Sequence, residues 1–195
     1  LTSEHASNAL PDGWSWPDAD RWLVASHWAY DIGAAALTTE LAEASGAPAV
    51  LAKYSRLVVD VNRPADSDTL VREVAEGRAI ELNATRSQHA QRLGLWSGYH
   101  GVVDQVVASS AAPIVLSIHS FTPVYEGQQR QLEIGILFDH DEPLAMSLYR
   151  LLQTAGLKVE LNEPYSGRLG LIYSVHRHAL AHGRRAIEIE VRQDL

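Results

Sequence analysis

Short apolar runs alternate along this chain with longer stretches in which apolar residues return every three or four positions. The run at 113–118 (PIVLSI) is apolar almost throughout, as in a strand buried on both faces of a parallel sheet. It delivers His119 and Ser120 at its carboxyl end. Runs at 48–52, 54–61, 132–138 and 158–161 read as further strands. A last strand covers 186–191, where the period of two places Glu188, Glu190 and Arg192 on one face. Residues 1–8 read as a strand end entering a loop, with Glu4 and His5 adjacent.

Helical signals cover residues 18–44, closed by Gly46 and Pro48. In such a helix His27 and Asp31 share a face, being four residues apart. Further helices are expected at 86–110, with a break near Gly94 to Gly98, at 143–155 before Gly156, and at 173–182. The polar segment 66–87, weakly helical over 69–76, reads as an insertion or lid. Strands alternating with helices predict one α/β domain over residues 1–195. Its expected form is three layers: a mixed, mostly parallel sheet with helices on both faces.

Composition narrows the function classes. The chain is 46% apolar and 21% charged, and no apolar run approaches the ~18 residues of a membrane span. A net charge of −8 argues against a nucleic-acid partner. The absence of Cys removes disulfides, thiolate zinc sites and Cys nucleophiles together, so any metal falls to His and carboxylates. Both ends read as trimmed, with no signal sequence before Leu1, and a cytoplasmic enzyme is the expectation.

The chemistry gathers where strands end. Asp60, Asn62 and Arg63 follow the apolar triplet Leu57-Val58-Val59, and ligands of open α/β sheets collect outside the carboxyl ends of strands. An Arg there offers a planar charged fork to a carboxylate. His5, His119 and Glu190 come from three separate strand ends. A catalytic zinc takes three N or O ligands and keeps one position open for water. A carboxylate beside that water can act as general base, and a nearby Arg can hold a substrate carboxylate or the developing oxyanion.

SEHASN, HWAYDIGA, YSRLVVDVNRP, Tyr99-His100, LSIHSFTP, EIGILFD, NEPYSG and IEIEVRQDL occur in this order over nearly the whole chain. Together they resemble the N-formylglutamate amidohydrolase family. That resemblance implies a zinc-carboxypeptidase-like fold with a sheet of about eight strands, one zinc ion per chain, and hydrolysis of N-formyl-L-glutamate or a related N-acyl amino acid. By the same resemblance His5 and His119 match the metal histidines, Glu190 the general base, and Asn62-Arg63 the pair that holds a substrate carboxylate. Carboxypeptidases place a Glu three residues after the first His, and here that position is Asn8. The third ligand is then Asp31 or Glu4, with adjacency to His5 on a strand counting against Glu4.

Several choices stay open at this level. Glu188 shares a face with Glu190 and is the alternative base. Arg56 either joins Arg63 in the pocket or pairs with Asp60. His100 and His178 either face the substrate or cap helices. A second carboxylate on the substrate calls for a second cation, with Arg192 and Arg168 as candidates. The alternatives to a deformylase are an amidase or carboxypeptidase on another N-acyl amino acid or peptide, and a metal-free binding module suggested by Asn8.

Overall fold

A computed structural model describes residues 1–84 and 88–195. Its central sheet is built from β1 (Thr2–Ser3), β2 (Val50–Leu51), β5 (Ile114–Phe121), β8 (Ile134–Leu137), β9 (Val159–Leu161) and β10 (Arg185–Arg192). They lie in the order β2-β1-β5-β10-β8-β9. The four strands from β2 to β10 run parallel, β8 is antiparallel to β10, and β9 is parallel to β8. Strands β5 and β10 pair along their whole length, which sets His119 beside Glu190 and Ser117 beside Glu188. Two short ribbons lie outside the sheet: β3 (Val74–Ala75) with β4 (Arg78–Ala79), and β6 (Val124–Tyr125) with β7 (Gln128–Gln129).

The period of two along β10 sorts the layers. Ala186 packs with Val103 and Val107 of α2 (His89–Ser109) and with Val175 and Ala179 of α4 (Tyr173–Ala181). Ile187, Ile189 and Val191 face the opposite way, against Ala145, Leu148 and Leu152 of α3 (Glu142–Thr154). Helix α1 (Ala34–Ser45) packs on β1 and β5. Each fully buried Val, Leu or Ile in these clusters contributes about 1.5–3 kcal/mol. The result is a mixed α/β fold with a mostly parallel sheet flanked by helices, and Glu188, Glu190, Ser117 and His119 share the α2/α4 face.

Several expectations are corrected. Of the helix predicted over 18–44, only Ala34–Ser45 is α-helical, preceded by a 3-10 turn at Asp18–Asp20 and further turns. Gly33, with φ 85°, breaks any helix there, and Asp20 is drawn away to accept the backbone N–H groups of Glu81 and Leu82. Residues 54–61 are buried turns and irregular backbone rather than a strand, and among the described residues the sheet has six strands where the resemblance implied about eight. Arg92 donates to the carbonyls of Leu57 and Val58, and Asn83 also donates to Leu57, so these carbonyls are satisfied without a ladder. The weak helix at 69–76 is instead the approach to the β3–β4 ribbon.

Helix α2 runs unbroken through Gly94 and Gly98, although each Gly costs about 1 kcal/mol in a helix interior. Burial of Trp96, His100, Val103 and Val107 at helical spacing outweighs that cost. The expected start of this helix at Arg86 and Ser87 lies outside the described residues, as does the end of the 66–87 segment. His119 and Ser120 sit inside β5 rather than beyond it.

Candidate active site

A cavity of about 320 Å³ opens at the carboxyl ends of β1, β5 and β10. Its lining includes His5, Asp31, Arg56, Asn62, Arg63, His119, Glu188 and Glu190, drawn from six separate stretches of chain. His5 follows β1 directly. The Asp31 N–H donates to the His5 carbonyl at 2.9 Å, which fixes Asp31 beside it without any helix.

Two histidines and one carboxylate converge here. Asp31 Oδ2 lies 2.8 Å from His119 Nδ1 and 3.4 Å from His5 Nδ1. The two rings stand nearly perpendicular, at 81° with centroids 4.7 Å apart. Each outer nitrogen meets a buried carboxylate: His5 Nε2 is 2.8 Å from Asp60 Oδ1, and His119 Nε2 is 3.0 Å from Glu4 Oε2. These partners are themselves held. Asp60 accepts from Arg56 at 2.8 Å and from the Asn62 N–H at 2.9 Å. Glu4 accepts from Ser117 at 2.5 Å and Tyr99 at 3.0 Å. Glu4 therefore orients His119 from behind, while Asp31 occupies the side where both Nδ1 atoms meet.

The protonation states follow from this arrangement. Burial opposes ionisation of Asp60, Asp31 and Glu4, yet their partners outweigh it. Arg56 and His5 hold Asp60 well below the usual carboxylate range. His5 and His119 do the same for Asp31, and His119 with Ser117 for Glu4. With a cation at Asp31 Oδ2, ionised Asp60 and Glu4 would hold the proton of each neutral ring on Nε2 and leave Nδ1 as a lone pair. Three acceptors then face one another around Asp31 Oδ2, a set that repels itself unless positive charge lies between. In its absence burial disfavours charge on His119, but Glu188, Asp31 and Glu4 raise the His119 pKa well above its ordinary value. Two imidazoles and a carboxylate with outer nitrogens backed by carboxylates suit a zinc-type ion. The residues fit such a group.

Glu188 and Glu190 lie beside this set, and each can join His119 in a second grouping of ligand atoms. Burial pushes both carboxyls up, Glu188 to about 8 and Glu190 to about 7, against the pull of His119. Their surroundings separate them. Glu188 Oε2 accepts from Asn62 at 3.3 Å and is 3.4 Å from His119, whereas Glu190 Oε2 is buried without a hydrogen-bond partner among the described residues. Gly135 of β8, opposite Glu190, lets the 162–166 loop pass; a Cβ there would run into the Glu163 carbonyl.

The sequence-predicted cations divide. Arg56 is tied to Asp60 and lies 3.6 Å from Asp31. The Asn62 side chain is used internally, donating to Leu171 and Glu188 and accepting the Ser174 N–H. Arg63 lines the cavity, and within the described residues its guanidinium makes no hydrogen bond or ion pair. Arg192 turns away to the carbonyls of 130–132 and to Asp194, and Arg168 pairs with Glu142 at the surface. His100 is buried against Trp96, with Nδ1 2.8 Å from His178 Nε2, and neither histidine lines the cavity.

Two contributors escaped the sequence reading. Asp60 is legible as a strand-end polar group and as a partner for Arg56, but its contact with His5 Nε2 at 2.8 Å is not. Arg72, from the segment read as a lid, lines the cavity over the Trp28 ring at 5.2 Å and, among the described residues, has no ion-pair partner.

Fold and site together define an α/β fold with a His-Asp-His pocket at strand ends, flanked by a carboxylate oxygen and guanidiniums that have no hydrogen-bond or ion-pair partner among the described residues. The family model for N-formylglutamate amidohydrolase matches residues 1–195, and the chain belongs to that amidohydrolase family. Gene product Atu2144 from Agrobacterium tumefaciens is 33% identical, with a TM-score of 0.86 over 100% of this chain and 80% of that one. The crystal structure of N-formylglutamate amidohydrolase from Ralstonia eutropha JMP134 is 18% identical, with a TM-score of 0.66 over 100% of this chain and 81% of that one. At that identity the second likeness shows the fold alone. No curated protein gives a significant match to the chain.

Proposed function

We propose that this chain is a zinc-dependent hydrolase that releases formate from N-formyl-L-glutamate or a closely related N-acyl amino acid. The observation that carries the reading is the convergence of His5, Asp31 and His119 beside a Glu190 oxygen and two guanidiniums, Arg63 and Arg72, that have no hydrogen-bond or ion-pair partner among the described residues. Zinc bound there polarises the formyl carbonyl and brings the pKa of a water near about 7. Glu190 takes the proton of the attacking water on Oε2 and returns it to the departing amine nitrogen. Arg63 anchors the α-carboxylate. Asn62 acts as a positioning residue between Glu188 and α4.

Arg72 supplies the second cation that a dicarboxylate substrate requires, in place of Arg192 or Arg168. The stacking on Trp28 pre-orients its guanidinium and reduces the entropy lost on binding. Asn8, the departure that suggested a metal-free binding module, donates to the Val24 carbonyl at 2.7 Å and has a structural use. Asp31 supplies the carboxylate that position lacks.

Formate release from N-formyl-L-glutamate, N-acetyl-L-glutamate and N-formyl derivatives of neutral amino acids tests this reading. The proposal predicts the highest kcat/KM for the formylated dicarboxylate. A higher value for a neutral N-formyl amino acid would remove the role of Arg72.

A further inference from the structure

Asp139, His140 and His176 form a second convergence of ligand atoms, at the other end of β10. They line a separate pocket of about 200 Å³ that also touches Ala186 and shares no residue with the catalytic cavity. Asp139 and His140 lie in the connection between β8 and α3, and His176 lies on α4. His140 Nδ1 is 3.3 Å from Asp139 Oδ1, and His176 Nδ1 is 3.4 Å from Asp139 Oδ2. One ligand atom from each residue lies within 4.8 Å of the others.

These separations exceed the usual hydrogen-bond length of about 2.9–3.0 Å. Each imidazole nitrogen faces a different Asp139 oxygen, at a separation close to the ligand–ligand distance of about 3.3–3.4 Å in a tetrahedral shell with bonds of ~2.0–2.1 Å. The arrangement resembles that of the cavity, where both Nδ1 atoms instead meet one oxygen of Asp31. In both places two imidazoles turn Nδ1 toward one aspartate, with rings near perpendicular: 85° and 5.6 Å here, 81° and 4.7 Å there. Arg184 borders the pocket, but its guanidinium is tied to the Ser110 carbonyl at 2.7 Å.

We infer that Asp139, His140 and His176 form a second metal site, for a zinc-like divalent transition ion with water completing the shell. Two imidazoles and one carboxylate select such an ion over magnesium or calcium, which prefer all-oxygen shells. An ion here ties the β8–α3 connection to α4. The site is structural: it braces α4 and takes no part in the reaction.

The test counts zinc by mass spectrometry after dialysis of the full chain against buffered micromolar zinc. Wild type is compared with His140→Gln and His176→Gln, and each substitution is repeated in a His119→Gln background to remove the cavity's contribution. The His140 side chain is 78% exposed, so its variant does not put folding at stake. The site predicts that each variant carries one zinc fewer than its parent in both backgrounds, with formate release by the single variants unchanged. Equal zinc in the variants and their parents overturns the inference, whatever the fate of the proposed activity.

Discussion

Replacing Asp60 by Asn tests the support behind His5, one of the two histidines proposed to hold the metal. Asp60 Oδ1 faces two donors, His5 Nε2 at 2.8 Å and the Asn62 N–H at 2.9 Å, while Oδ2 faces Arg56 at 2.8 Å. An Asn carboxamide has one acceptor end and one donor end, so either orientation sets its NH2 against a donor. If the NH2 faces Arg56, that guanidinium is released toward Asp31, already 3.6 Å away, and competes for the ligand carboxylate. If it faces His5, the tautomer that exposes Nδ1 loses its anchor. Losing one hydrogen bond to a charged group costs about 1.5–3 kcal/mol. Removing a carboxylate behind a metal-binding His typically costs 10–100-fold in metal affinity, about 1.4–2.7 kcal/mol. The two ranges agree. Competition for zinc against a chromophoric chelator measures the change, with circular dichroism to check the fold. A zinc affinity within about twofold of wild type would refute the carboxylate–histidine reasoning.

Other predictions follow from the same geometry. Glu190→Gln should lower turnover by about 10²–10⁴-fold while zinc content stays at the wild-type level, and Glu188→Gln should cost far less; equal losses would reassign the base. Arg72→Leu should raise KM for N-formyl-L-glutamate while leaving N-formyl derivatives of neutral amino acids almost unaffected; a uniform loss would mean that Arg72 does not read the second carboxylate. Burial, aided by the charges of His178 and Arg177, lowers the His100 pKa to about 4 from an ordinary value of about 6.5. The folded pKa is the lower one, so this stability is present above about pH 6.5 and is lost as pH falls toward 4. Denaturant unfolding at about pH 7.5 and pH 5 should differ by roughly 1–2 kcal/mol from this group, allowing for solvent screening, and His100→Asn should remove that part; an unchanged difference would refute it.

The fold class was legible because it rests on local periodicity: the apolar run of β5 and the alternation of β10 carry their own burial pattern. Failures came where burial was real but hydrogen bonding was non-local. Leu57, Val58 and Val59 are buried as a strand would be, but Arg92 and Asn83 from distant sequence take the carbonyls of Leu57 and Val58. The segment from 18 to 33 has helical spacing, yet Gly33 and the pull on Asp20 set its path.

The candidate site shows the same division. His5, His119, Asp31 and Glu190 stand in motifs that the eye can find, and the structure gathers them around one cavity. Glu4 and Asp60 differ, because which face of an imidazole a carboxylate meets is a matter of angle rather than spacing. Arg192 shares the period of Glu190, but β10 ends there and its side chain folds back on neighbouring carbonyls. Arg72 lies in a polar stretch without periodicity, and only the turn before β3 brings it to the cavity.

Formate release from N-formyl-L-glutamate, followed alongside zinc content before and after chelation, bears most directly on the central claim. The account predicts that release falls as zinc leaves the His5–Asp31–His119 set and returns when zinc is restored. Release that persists undiminished in metal-stripped protein would contradict it.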